Sequence, residues 1–236
     1  MINKLSVVIP VYNEINTIEN VLSKVASLPY VKEVITVDDG SKDGTRELLT
    51  SKYANDSKIK VVLMKQNGGK GTALREGFKH ITAEYVVVQD ADLEYDPDNL
   101  GKMLTVAIEN NAVVVYGNRF EGEGMFENWE KMDWKNALGN KVILPSLVNI
   151  LYRQNIHDEA TCYKMFKTDV LKSVKLVCTR FEFCPEVTAK ISKKGYKIIE
   201  VPIKYFPRSI KGGKKLNALK DGLEAVWTLV KYRFFE

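Results

Sequence analysis

Apolar and polar positions in the first half of the chain follow two alternating periods. Short apolar runs at residues 5–10, 34–37, 59–64 and 85–89 are rich in β-branched residues and have the length of strands. Between them, apolar residues recur at helical spacing, most clearly Ile18, Val21, Leu22, Val25 and Leu28. Further helices are predicted over 46–53, 72–80 and 100–109, with a fifth strand over 113–116. This alternation argues for an α/β fold with a mostly parallel, Rossmann-like sheet and helices on both faces.

The second half is less regular. Helices are predicted over 167–174 and 186–194 and a strand over 198–201, while the polar, tryptophan-bearing stretch 121–141 reads as a lid or connecting helices. Residues 203–215 carry five basic residues, no acid, and Gly212-Gly213, and read as a mobile loop. Residues 217–235 predict an amphipathic helix with Leu219, Leu223, Val226, Trp227, Val230 and Phe234 on one face.

The polar residues cluster where the strands end. Pro10-Val11-Tyr12-Asn13-Glu14 follows the first strand and Asp38-Asp39-Gly40-Ser41 the second; Gln66 to Gly71 follows the third and Asp90-Ala91-Asp92-Leu93-Glu94 the fourth. In open parallel sheets, ligands bind outside these carboxyl ends. Alternate residues of an extended chain point the same way, so Asp90, Asp92 and Glu94 would crowd three carboxylates together. Such a set favours a hard cation, Mg²⁺ or Mn²⁺, held together with substrate phosphates, and that ion can neutralise a departing diphosphate. The alternative is an acidic turn before Pro97. A carboxylate in the Asp38-Asp39 pair can accept hydrogen bonds from a nucleobase or ribose. The amides of Gly68 to Gly71, with Lys70, suit a diphosphate. Neither Walker spacing nor G-x-G-x-x-G occurs, which disfavours an ATPase or a dinucleotide enzyme. His80 and His157 form no triad.

Composition narrows the class. With 236 residues, 45% of them hydrophobic, the chain fits one sizeable domain. No apolar stretch reaches the roughly 20 residues of a membrane span. There is no signal-peptide pattern, and Cys162, Cys178 and Cys184 lack metal-site spacing, so they read as reduced thiols of a cytosolic protein. The nine Lys or Arg and four Asp or Glu from Tyr196 to the C-terminus account for the whole net charge of +5. A basic end on a neutral body suits an anionic partner such as a phosphate or lipid headgroup.

Taken together, Val8 to Glu14, Val37-Asp38-Asp39-Gly40-Ser41-Lys42-Asp43-Gly44-Thr45 and Asp90-Ala91-Asp92 resemble the family 2 glycosyltransferases of the GT-A fold. More narrowly the chain is similar to the catalytic domain of dolichol-phosphate (polyprenyl-phosphate) mannose synthases. That likeness extends through Gly117-Asn118-Arg119-Phe120, Asp158 to Lys164, Glu186, Glu200-Val201-Pro202, Arg208 and Lys214-Lys215-Leu216.

The resemblance implies an inverting transfer of a hexose from a GDP-mannose or UDP-glucose type donor to polyprenyl phosphate. It implies a nucleotide-sugar half over 1–117, an acceptor half over 118–216 and the amphipathic helix over 217–236. Pro10, Tyr12, Glu14, Asp39, Lys70, Asp90 and Ala91 would bind the donor. Asp92 and Glu94 would hold Mg²⁺ or Mn²⁺, and Arg119, Arg208 and Lys215 would bind the acceptor phosphate or the donor diphosphate. Asp92, Asp158 and Arg119 are the implied catalytic residues. A polyprenyl phosphate is already largely ionised near pH 7, its second pKa being roughly 6, and needs no base. Transfer to a saccharide hydroxyl would need one, with Asp158 or Glu159 as candidates. A non-catalytic nucleotide-sugar or nucleic-acid binding module is the remaining alternative, although no nucleic-acid partner is expected. The protein is expected in the cytoplasm, peripheral on a membrane through its last helix or a membrane subunit.

Overall fold

The apolar runs of the sequence become strands, and the central ones are buried on both faces, as in parallel sheets. In the computed structural model, which describes residues 3–121, 139–207 and 218–236, seven strands form one sheet. They are β1 (Leu5–Val11), β2 (Val31–Asp38), β3 (Ile59–Leu63), β4 (Tyr85–Val88), β5 (Val114–Asn118), β6 (Lys164–Lys167) and β7 (Ile199–Pro202). Their spatial order is β3-β2-β1-β4-β6-β5-β7. β1 pairs in parallel with β2 and β4, β2 with β3, and β5 with β7; β6 runs antiparallel to both β4 and β5.

The helices are α1 (Ile18–Ser27), α2 (Thr45–Tyr53), α3 (Lys70–Gly77), α4 (Asn99–Glu109), α5 (Leu144–Tyr152), α6 (Thr168–Lys172), α7 (Phe183–Lys193) and α8 (Ala218–Phe234). Thr17 gives α1 no side-chain cap, but Ile18, Val21, Leu22 and Val25 are fully buried. At roughly 1.5–3 kcal/mol for each such side chain, tertiary burial outweighs the missing cap. α3 lies directly on the sheet. A Cβ on Gly77 would stand 2.5 Å from a Val8 methyl, so only glycine permits this approach.

Two expectations need correction, and one stretch without an assigned element becomes a helix. The helix predicted over 167–174 forms only as the short α6, which directly follows a strand the pattern concealed, β6. The apolar stretch around Val148 forms α5, with Pro145 in its first turn. The face of α8 also differs from the predicted one. Ala225, Thr228, Leu229 and Tyr232 are buried, and α8 packs against α5 and α7. Leu223, Trp227 (58% exposed) and Phe234 (65% exposed) point to solvent. Tyr232 is drawn inward because its hydroxyl donates to Glu186 Oε1 at 3.0 Å, a partner that periodicity cannot reveal.

Candidate active site

The carboxyl ends of the central strands are held together before any ligand arrives. Asp39 N donates to Val11 O at 2.8 Å, Gln89 N to Val8 O at 3.0 Å and Met64 N to Asp38 O at 2.9 Å. The loops beyond them also clasp: Asn13 N donates to Ser41 Oγ (2.9 Å), Glu14 N to Thr45 Oγ1 (3.0 Å) and Lys42 N to Asn13 Oδ1 (2.8 Å). Asp38 and Asp39 divide the work. Asp38 is buried against Arg46 Nε at 2.7 Å, whereas Asp39 turns toward a cavity of about 750 Å³. That volume lies within the range of small-molecule sites.

Pro10, Tyr12, Glu14, Asp39, Lys70, Asp90, Ala91, Asp92, Glu94 and Arg119 all line this cavity. Arg208 and Lys215 lie outside the described residues. The amides of Gly68 and Gly69 do not point to a diphosphate. They donate to Asp39 Oδ1 at 2.7 Å and Oδ2 at 2.8 Å. Burial raises the Asp39 pKa, and these two amides oppose that shift without cancelling it. The glycines serve close packing instead. A Cβ on Gly69, which has φ +89°, would meet Thr179 O at 2.5 Å, and one on Gly71 would meet Arg180 O at 2.9 Å.

The acidic motif is a turn, not an extended strand. β4 stops at Val88, and Leu93 adopts a left-handed φ of 61°. Asp92 Oδ1 accepts the Glu94 amide at 3.1 Å, closing the turn. The three carboxylates therefore take different partners. Lys70 Nζ donates to Asp90 Oδ1 at 2.6 Å, and the Tyr205 hydroxyl donates to Glu94 Oε2 at 2.6 Å. Burial disfavours charge on Lys70, but Asp90 and the nearby thiols more than offset this, so its pKa rises. Among the described residues no group of three or more His, Cys, Asp or Glu side chains converges as a metal cluster.

Arg119 is 8% exposed, and Asp158 is not exposed at all. Arg119 Nε and Nη2 donate to Asp158 Oδ2 and Oδ1, each at 2.7 Å, and the Arg119 amide adds a third bond at 3.0 Å. Burial opposes the guanidinium charge, but Asp158 fixes it. Asp158 does not line the cavity. Its geometry is that of a residue positioning Arg119, not of a base touching an acceptor. Glu159 does line the cavity. Its Oε1 accepts from Thr188 Oγ1 at 3.2 Å, its Oε2 has no hydrogen-bond partner among the described residues, and burial raises its pKa.

Several lining residues carried no recognisable signal in the sequence. Thr179, Arg180 and Phe181, the first turns of α8 at Asp221 and Ala225, and Tyr95 and Tyr205 all face the cavity. Only the glycines hinted at the Thr179 approach, since repeated glycine marks places where backbones meet.

An open α/β sheet with acids and cations gathered around one cavity at its carboxyl edge defines a class of ligand-binding α/β proteins. The glycosyl transferase family 2 model matches residues 6–175, so the chain belongs to that family. It is 30% identical to the dolichol-phosphate mannosyltransferase of Pyrococcus furiosus, across 97% of this chain and 64% of that protein. The chain thus spans just under two thirds of that relative's length. It is 26% identical to the undecaprenyl-phosphate mannosyltransferase of Micrococcus luteus, across 96% of this chain and 97% of the relative. The glucosyl-3-phosphoglycerate synthase of Mycobacterium tuberculosis, crystallised with Mn²⁺, UDP and phosphoglyceric acid, superposes with a TM-score of 0.74. It is 18% identical, covering 99% of this chain and 80% of that structure, a likeness of fold. The fold is of the GT-A type.

Proposed function

We propose that this protein transfers a hexose from a nucleoside-diphosphate sugar to a polyprenyl phosphate, with inversion at the anomeric carbon. One observation carries the reading: a single cavity gathers the strand-end acids Asp39, Asp90, Asp92 and Glu94 together with the buried cation Arg119. The names of the Pyrococcus and Micrococcus relatives support the lipid-phosphate acceptor. Residues 1–117 would hold the donor and 118–216 the acceptor.

In this reading Pro10, Tyr12, Glu14, Asp39 and Ala91 border the nucleoside, and the Lys70–Asp90 pair closes that pocket. Asp92 and Glu94 fit a divalent ion, because two cavity-lining carboxylates plus diphosphate oxygens are the donor set Mg²⁺ and Mn²⁺ take. When bound, such an ion supplies positive charge against the departing diphosphate. Arg119, with Arg208 and Lys215, holds the acceptor phosphate. A phosphate oxygen forms the bond to the anomeric carbon as the bond from that carbon to the diphosphate oxygen breaks. No proton need leave the acceptor, which accords with both Asp158 oxygens being engaged by Arg119.

Among the described residues no helix is long and apolar enough to cross a membrane. The exposed Leu223, Trp227, Phe234 and Phe235 of the C-terminal segment, beside Lys231 and Arg233, would rest on the cytoplasmic face of an anionic membrane. The test is release of nucleoside diphosphate in the presence of polyprenyl phosphate and Mn²⁺. Release that depends on the lipid and vanishes in Asp92→Ala is expected. Release unaffected by that substitution would remove Asp92 from the reaction.

A further inference from the structure

Tyr205 sits where three parts of the site meet, although no motif drew attention to it. It is buried, and its hydroxyl donates to Glu94 Oε2 at 2.6 Å. The next residue reinforces the contact: Phe206 N donates to Glu94 O at 2.8 Å. Tyr205 also forms an antiparallel bridge with Tyr95, their ring centroids 5.0 Å apart. On its other side, the Arg119 guanidinium carbon lies 5.3 Å from the Tyr205 ring centroid, within cation–π range.

We propose that Tyr205 is a positioning residue for the divalent-cation site: its hydroxyl fixes the Glu94 carboxylate, and its ring seats Arg119 beside it. The inference rests on the reading of Asp92 and Glu94 as metal-holding residues. Glu94 is the residue most in need of such support. It follows Leu93 in a left-handed conformation, so the backbone does not aim it as a strand would. A glutamate side chain has three rotatable torsions, and a hard cation binds well only when its oxygens are already placed. A donated hydrogen bond to one oxygen fixes the rotamer. Hydrogen-bonding partners of metal-binding carboxylates characteristically change metal affinity by about 10–100-fold when removed. The ring adds a second effect: the cation for the acceptor phosphate and the carboxylate for the metal are set against one side chain.

The test is Mn²⁺ binding to the full chain with UDP or GDP present, read by electron paramagnetic resonance of free Mn²⁺, so that turnover plays no part. Tyr205→Phe keeps the ring and removes only the hydroxyl. It is expected to weaken Mn²⁺ binding about tenfold or more. Tyr152→Phe is the control, because that buried hydroxyl donates to the Leu229 carbonyl at 2.5 Å and Tyr152 does not line the cavity. It should leave Mn²⁺ affinity within about twofold of wild type. Glu94→Ala, which removes the oxygen donor outright, should lose Mn²⁺ binding. If Glu94→Ala loses Mn²⁺ while Tyr205→Phe binds it as wild type does, the positioning role is overturned and the metal reading survives. A wild-type chain that binds nucleotide but no Mn²⁺ would overturn both. Equal loss in Tyr152→Phe and Tyr205→Phe would reduce Tyr205 to a packing residue and likewise overturn the inference.

Discussion

Arg119 and Asp158 show how one buried pair can decide what a site does. With both Asp158 oxygens and three Arg119 donors matched, the guanidinium is held rigid and charged. Removing one partner of such a pair costs about 3–5 kcal/mol, because a buried charge is left alone. Asp158→Asn is therefore expected to lower thermal stability by that order, with retained stability counting against the pairing. Arg119→Lys should raise KM for the lipid phosphate more than for the nucleotide sugar, since an ammonium cannot reproduce the bidentate fork. Glu159 gives a pH test. Its folded pKa is raised by burial, so its contribution is fully present below the ordinary carboxyl pKa of about 4.3 and lost as pH rises through the folded value. Glu159→Gln should thus gain thermal stability relative to wild type as pH increases across that window. A constant difference at all pH values would show that Glu159 does not titrate as its burial requires.

At the scale of elements, what could be read from the chain was what depends on local period. β1 to β5, α1 to α4 and the polar strand ends follow from runs of apolar residues a few positions long. β6 was not legible because four residues, lysine at both ends, carry no period. Its Lys164 is buried only because the Glu159 carbonyl accepts from it at 2.5 Å and the Tyr116 ring lies 3.7 Å away. The Gly68 to Gly71 segment was legible as special, but its purpose was not, since the Thr179 loop that it packs against lies over a hundred residues on. Glu186 organises that same region. It accepts the Val177 amide at 2.8 Å, the Cys178 amide at 2.7 Å and Lys190 Nζ at 2.6 Å, and it receives the Tyr232 hydroxyl from α8. Burial pushes the Glu186 pKa up, but Lys190 and the amides outweigh burial and leave it lowered. Its stabilisation is present above about pH 4.3 and is lost as pH falls through the lowered folded value. Glu186→Gln should therefore destabilise the protein at neutral pH and narrow its deficit in acid. Melting curves parallel to wild type throughout would contradict this.

Over the whole molecule, the sheet order places the ends of β1, β2 and β4 beside one another and brings the loops after β5 and β7 to the same cavity. This is why residues as distant in sequence as Tyr12, Asp92, Arg119 and Tyr205 share one site. The acceptor's source was the least legible feature, because Arg208 and Lys215 reveal charge but not what meets it. The most direct measurement is mass spectrometry of a polyprenyl phosphate incubated with the protein, Mn²⁺ and a panel of nucleoside-diphosphate sugars. A hexosyl-phosphate lipid formed from one donor, and absent with Asp92→Ala, is the expected result. A panel that leaves the lipid unmodified while a saccharide hydroxyl becomes glycosylated would contradict the lipid-phosphate acceptor.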